Sequence, residues 1–261
     1  MSVIILYTII VLIATISGAI AGLGGGVIIK PLFDLIGYHD ASTIGFYSST
    51  AVFTMCLVSI YKQLKEKFKF NIKIVSAISV GSLVGGYIGE SIFNVVTSNT
   101  QDNIVKIIQA GLLGVTLILI LIYTLNKEKI KQFKIDNLFI IFIVGFLLGS
   151  ISVFLGIGGG PLNVATVMLL FSFDIKEASI YSIATIFFSQ ISKLGTVFLS
   201  GSFQNYDLSI IPFTSISAIL GGYIGTLLNQ KLDNKKIQNI YIFIIVVLIG
   251  ISIFNIIKNL G

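Results

Sequence analysis

Four glycines in five positions, Gly22, Gly24, Gly25 and Gly26 around Leu23, interrupt a long apolar run. The pattern returns as Gly156, Gly158, Gly159 and Gly160 around Ile157. The chemistry open to such a stretch is that of its backbone. Each glycine costs a helix about 1 kcal/mol relative to Ala, so the helix is expected to stop and a new one to begin. A helix that begins inside an apolar medium presents unpaired N–H groups and the positive end of its dipole, about half a unit charge. Without a Cβ, glycine lets a ligand approach that backbone closely. Two such N-termini facing one centre would bind a small anion.

Neutral donors stand nearby in the chain. Ser48, Ser49 and Thr50 follow the first break, Asn163 comes directly after the second, and Ser182, Thr185, Ser189 and Gln190 lie in the run beyond it. Donors without full charge suit a site that must also release its anion. Hydroxyls in apolar helices also serve helix–helix packing, and both readings stand for these residues. Lys193 is charged within an apolar run, which makes it a functional candidate, although it is close enough to the end of that run to snorkel. Lys30, beside Pro31, either attracts an anion or marks an interface. Glu90 follows a repeated motif but its counterpart is Thr226, which weighs against a shared coupling role, and His39 beside Asp40 reads as a loop residue.

Other chemistries fail on spacing. Neither glycine run reads G-x-G-x-x-G after a strand, and neither is followed by the Lys-Ser/Thr of a phosphate loop. One histidine, the single cysteine Cys56 and no paired deep carboxylates leave no catalytic or metal constellation. No cofactor and no enzymatic activity are expected.

The elements that must position these residues follow from composition. Of 261 residues 55% are hydrophobic and 11% charged, against about 25% charged in a soluble domain. The chain is therefore read as an all-α polytopic membrane protein. At roughly 20 residues per crossing, the apolar runs give about eight spans: 3–21, 41–61, 74–92, 104–125, 137–155, 178–199, 208–228 and 237–257. The pieces after the breaks, 27–37 and 161–173, are too short to cross alone and read as half-helices or re-entrant segments. The first span lacks a basic leader and is read as retained.

The net charge is +6 and every cation is Lys. Lys62, Lys65, Lys67, Lys69 and Lys73 form one basic loop, and Lys127, Lys129, Lys131 and Lys134 a second. The positive-inside rule makes both cytoplasmic, and no nucleic-acid partner is expected. With four crossings per half, both termini would be cytoplasmic as well. The loop holding Lys231, Asp233, Lys235 and Lys236 would then sit outside, against the rule.

The breaks are offset by 156 − 22 = 134 residues, and Tyr47-Ser48 and Phe53 match Tyr181-Ser182 and Phe187 at the same offset. Gly85-Gly86-Tyr87-Ile88-Gly89 recurs unchanged as 221–225. These matches predict a duplication: a first repeat over 1–125, a cytoplasmic linker over 126–136 and a second repeat over 137–261. Four crossings per half would give both repeats one orientation; crossing by the short pieces would invert them.

The paired glycine breaks, Pro31 beyond the first, the duplicated halves and the length together resemble the TauE/SafE-type sulfite exporter family of membrane permeases. The resemblance implies a multi-pass cell-membrane protein that moves small sulfur-containing anions such as sulfite, sulfoacetate or related organosulfonates, driven by an ion gradient such as that of protons. It carries substrate contact onto 22–26 and 156–160. Pro161 directly follows the second glycines and Ala165 stands where the first copy has Pro31, so the half-sites are not equivalent. A passive small-anion channel is the alternative that would use the same breaks.

Overall fold

The computed structural model describes residues 2–68 and 70–260, with the side chain of Ser2 left aside. Ten α-helices and two 3-10 turns occur among the described residues, and no strand. They are α1 (Ser2–Ala21), α2 (Gly26–Ile36), α3 (Ala41–Lys65), α4 (Ile72–Asn99), α5 (Asp102–Asn126), α6 (Leu138–Phe154), α7 (Gly160–Phe171), α8 (Ile175–Leu199), α9 (Ile211–Lys231) and α10 (Asn234–Leu260). Short polar side chains set several starts. Asp40, Asn71, Asn137 and Asp174 each accept a backbone N–H from the first turn of α3, α4, α6 and α8.

Among the described residues, seven helices are long and apolar enough to cross a membrane, against the eight spans expected. The missing one is α6, which the second break cuts to 17 residues. Its length is about 25 Å at 1.5 Å per residue. The outer faces of α5, α6 and α10 expose Leu119, Phe139, Phe243 and Ile257, while α3 and α8 are the most buried long helices.

The contacts fix helix directions. Gly221 of α9 meets Leu12 and Thr15 of α1, Gly225 meets Ile16 and Ala19, and Asn229 donates to the Ile20 carbonyl at 2.7 Å. Rising numbers pair with rising numbers, so α1 and α9 are parallel. The same holds for α4 with α6, where Gly81 meets Phe142 and Gly89 meets Ser150, and for α3 with α9, where Gly222 meets Met55 and Gln63 meets Asn229. It also holds for α4 with α8, where Ser82 donates to the Thr185 carbonyl at 3.0 Å and Gly86 meets Ser189 and Ser192. Helices α3 and α8 cross in opposite directions: Gly45 neighbours Lys193, and Phe53 stacks on Phe187 at 5.3 Å.

Helices α1, α3 and α9 therefore run one way and α4, α6 and α8 the other. Helices α1, α3 and α9 thus run against α6, α8 and α4, the arrangement that follows if the short pieces carry the chain back rather than the one that four crossings per half would give. The reason is α2. It runs back along α1, with Gly25 near Thr15 and Phe33 stacked on Tyr7 at 3.6 Å. Each break with its short helix thus returns the chain to the face from which the preceding helix came.

Two faces follow. On one, Lys176 donates to the carbonyls of Gln230 and Leu232, Lys127 donates to Gln238, and Lys62 covers the Tyr223 ring. This face gathers both basic loops and the Lys231–Lys236 loop, which removes the conflict in the charge pattern. Lys69 lies outside the described residues. On the other face, Tyr7 bonds His39, Lys106 donates to the His39 carbonyl, and Lys258 donates to the Leu35 carbonyl. The start of α1 and the end of α10 therefore lie on the face opposite the basic loops, whereas an even crossing count would put them on the same face.

The repeated Gly-Gly-Tyr-Ile-Gly motif has a packing role. Its first and last glycines let α4 press on α6 and α9 on α1, and its second glycine meets α8 in one copy and α3 in the other. Its Tyr and Ile face outward. Small residues at such spacing are what membrane helices use for close approach.

Candidate functional site

The two glycine breaks meet. In each, the first, third and fourth positions take positive φ: Gly22, Gly24 and Gly25 at 72 to 77°, and Gly156, Gly158 and Gly159 at 67 to 75°. Residues with a Cβ rarely adopt this region. The fifth glycine is required for space instead. A Cβ on Gly26 would stand 2.5 Å from the Ile157 carbonyl oxygen, and one on Gly160 would stand 2.0 Å from that of Leu23. Each break thus lays its one non-glycine carbonyl on the first residue of the other's short helix.

The meeting point is halfway along the central helices. Gly24 and Gly158 both contact Ile186 of α8, and Gly26 and Gly158 contact Val52 of α3. Helices α2 and α7 start here and leave in opposite directions, so their positive ends converge. Ile28 and Ile29 donate to the Gly25 carbonyl and Asn163 to that of Gly159. The first N–H groups of each short helix have no intrahelical acceptor.

Several of the residues expected from sequence gather around this point. Asn163 is buried one turn into α7, with neither amide atom hydrogen-bonded. Gln190 lies beside Gly158, where an added Cβ would stand 3.7 Å from its Nε2 atom, and its Oε1 is unpaired. Ser182 donates to the Gly22 carbonyl at 2.6 Å and reaches that of Gly160 at 3.4 Å, so its proton braces the breaks. The hydroxyls of Thr185 and Ser189 bond their own helix, the packing alternative left open above. Ser48 and Ser49 are buried in α3. Thr50 bonds the Phe46 carbonyl and lines an apolar cleft with Phe53, Leu194 and Phe198, away from the breaks.

Lys193 does not snorkel. It lies over the Phe93 ring and pairs with Glu90 at 3.5 Å, both side chains almost wholly buried. Lys30 pairs with Asp34 inside α2, and its stem lies against Gly156, where an added Cβ would stand 3.3 Å from Cδ and Cε. Sequence reasoning set Glu90 aside and did not single out Asp34. The spacing of Lys30 and Asp34, i and i+4 in an apolar eleven-residue helix, was the available signal. Both pairs are charge-balanced, so the helix ends supply the uncompensated positive field.

There is little room. Two spaces beside the breaks measure about 10 Å³ each, one next to Lys30, Asp34 and Ile157 and one next to Gly159 and Pro161. That is the scale of a single water. A larger cleft of about 480 Å³ on the basic-loop face carries Glu66, Asp174 and Glu177 beside Lys176. Those carboxylates make it no funnel for anions.

The family model described as "Sulfite exporter TauE/SafE" matches residues 7–253. The chain belongs to the TauE/SafE sulfite exporter family. TauE/SafE members are membrane transporters, in keeping with the apolar helices described above. This family member is 28% identical to the "Probable membrane transporter protein YunE" of Bacillus subtilis, with 92% of this chain and 93% of that protein covered. It is also 28% identical to the "Probable membrane transporter protein MJ0441" of Methanocaldococcus jannaschii, with 87% and 86% covered. No solved structure matches it.

Proposed function

We propose that this TauE/SafE protein is a cell-membrane secondary transporter of small sulfur-containing anions, sulfite, sulfoacetate or related organosulfonates. The site is the junction of the two glycine breaks, with Asn163 and Gln190 as neutral donors and the charge-balanced Lys193–Glu90 pair nearby. The observation that carries this reading is the convergence of the α2 and α7 N-termini at mid-depth, backbone against backbone. An anion placed there meets two positive helix ends in a medium where no water competes.

The halves, 1–125 and 137–261 joined by 126–136, are read as an inverted duplication. The basic loops are assigned to the cytoplasm by the positive-inside rule, which puts the chain ends outside. The small spaces at the breaks favour a carrier over a channel: an anion fits only if the halves part, and rocking one half against the other would open the site to each side in turn.

The test is uptake of ³⁵S-sulfite and short sulfonates into proteoliposomes. A carrier saturates with substrate and shows counterflow. Flux that rises linearly with the anion gradient, without counterflow, would establish the channel alternative and overturn the carrier.

A further inference from the structure

The cavity beside Lys30 is walled by polar groups from three helices. Asp34 of α2, Gln109 of α5, and Ser252 and Asn255 of α10 all line it, and all are more than nine-tenths buried. Each leaves one side-chain oxygen without a hydrogen-bond partner: Asp34 Oδ1, Gln109 Oε1, Ser252 Oγ and Asn255 Oδ1. The amide nitrogens explain which ends remain. Gln109 Nε2 donates to the Phe154 carbonyl at 2.7 Å and Asn255 Nδ2 to the Pro31 carbonyl at 2.9 Å. Lys30 engages only Oδ2 of Asp34.

Buried polar atoms without partners are uncommon and call for an explanation. Four neighbouring oxygens form a hard donor set, which suits a hard cation. Only one carboxylate is present and Lys30 already balances it, so the set lacks the charge for a divalent ion. The space, about 10 Å³, admits one small ion.

We propose that this cavity is a sodium-ion site and that it couples anion movement to the sodium gradient. The coupling rests on the anion reading above. Ile157 lines the same cavity, and the Lys30 stem rests on Gly156, so the ion would sit beside the second break. With Lys30 and Asp34 cancelling, a bound sodium ion leaves one buried positive charge. An anion at the breaks neutralises it, and each ion reciprocally favours the other.

The test uses the purified full chain. Thermal stability is measured in NaCl against choline chloride at equal ionic strength, without substrate, and ³⁵S-sulfite uptake is measured against sodium concentration. Sodium is expected to raise the Tm of the wild type. Ser252→Ala and Asn255→Leu are expected to raise the half-saturating sodium concentration at least tenfold, while Gly250→Ala, which has no neighbour within 4 Å, leaves it unchanged. No sodium-dependent Tm shift in the wild type, with uptake equal in choline, would overturn the proposal and mark the cavity as a water site. Uptake driven by protons alone would do the same and leave the anion reading intact. A sodium-dependent Tm shift abolished by Ser252→Ala, without sulfite transport, would support the ion site while the anion reading fails.

Discussion

The Leu23 carbonyl rests on Gly160 so closely that a Cβ there would stand 2.0 Å from its oxygen. The mirror contact, Ile157 on Gly26, joins the same two breaks from the other side. No flexible side chain intervenes, so the contact can only hold or part. An anion that uses the N–H groups beneath it must separate two backbones.

Asn163 separates a structural from a functional role. Its amide is buried with both polar atoms unpaired, which costs stability. Asn163→Leu is expected to leave the Tm unchanged or higher and to cut sulfite uptake at least tenfold. Measuring both on one preparation decides it: unchanged uptake would remove Asn163 from the site, and a falling Tm would show that its polar atoms serve the fold.

The Glu90–Lys193 pair is buried to within 3–4% side-chain exposure. Removing one partner strands the other charge. Glu90→Gln is expected to destabilise the protein by about 3 kcal/mol, the scale seen when a buried pair is broken on one side. Combining it with Lys193→Met should recover most of that loss. A double-mutant cycle by thermal or denaturant unfolding measures the coupling, and additive losses would show that the two groups do not sense each other.

His39 gives a pH dependence with a definite sign. It lies outside the helices, bonded through Nδ1 to the Tyr7 hydroxyl at 2.9 Å. Burial holds its imidazole below its ordinary value, and Lys106 adds to this against the opposing pull of Asp40 and Asp207. The unfolded chain takes up the proton near pH 6.5, while the folded one resists it. The stability His39 contributes is therefore complete above about pH 6.5 and is lost as pH falls through the folded value. Tm measured from pH 7.5 to 5 should fall less steeply in His39→Gln than in the wild type; parallel curves would contradict this.

The two faces are testable by labelling. In a Cys56→Ser background, Gln101→Cys should react with a membrane-impermeant maleimide from outside intact cells, and Glu128→Cys only after lysis. The opposite result would reverse the assignment of the basic loops to the cytoplasm.

Much of this architecture was legible in the sequence because lipid penalises broken helices. A run such as 22–26 has few uses at that depth, and the starts of α2, α3 and α7 fall close to where the two glycine breaks and the apolar run from residue 41 placed them. Helix direction was not legible, since it turns on whether an eleven-residue helix carries the chain back. Neither was the Glu90–Lys193 pair, whose members lie on different halves and whose counterparts, Ser59 and Thr226, carry no charge. The sodium-site residues Asp34, Gln109, Ser252 and Asn255 were equally invisible, because only the packing of α10 against both α2 and α5 brings them together.

The most direct measurement is ³⁵S-sulfite counterflow in proteoliposomes holding Gly26→Ala or Gly160→Ala, normalised to inserted, folded protein. Gly111→Ala and Gly195→Ala, where a Cβ meets nothing within 4 Å, serve as controls. At least a tenfold loss is expected in the first pair and wild-type counterflow in the second. Equal counterflow in all four would contradict a substrate site at the paired breaks.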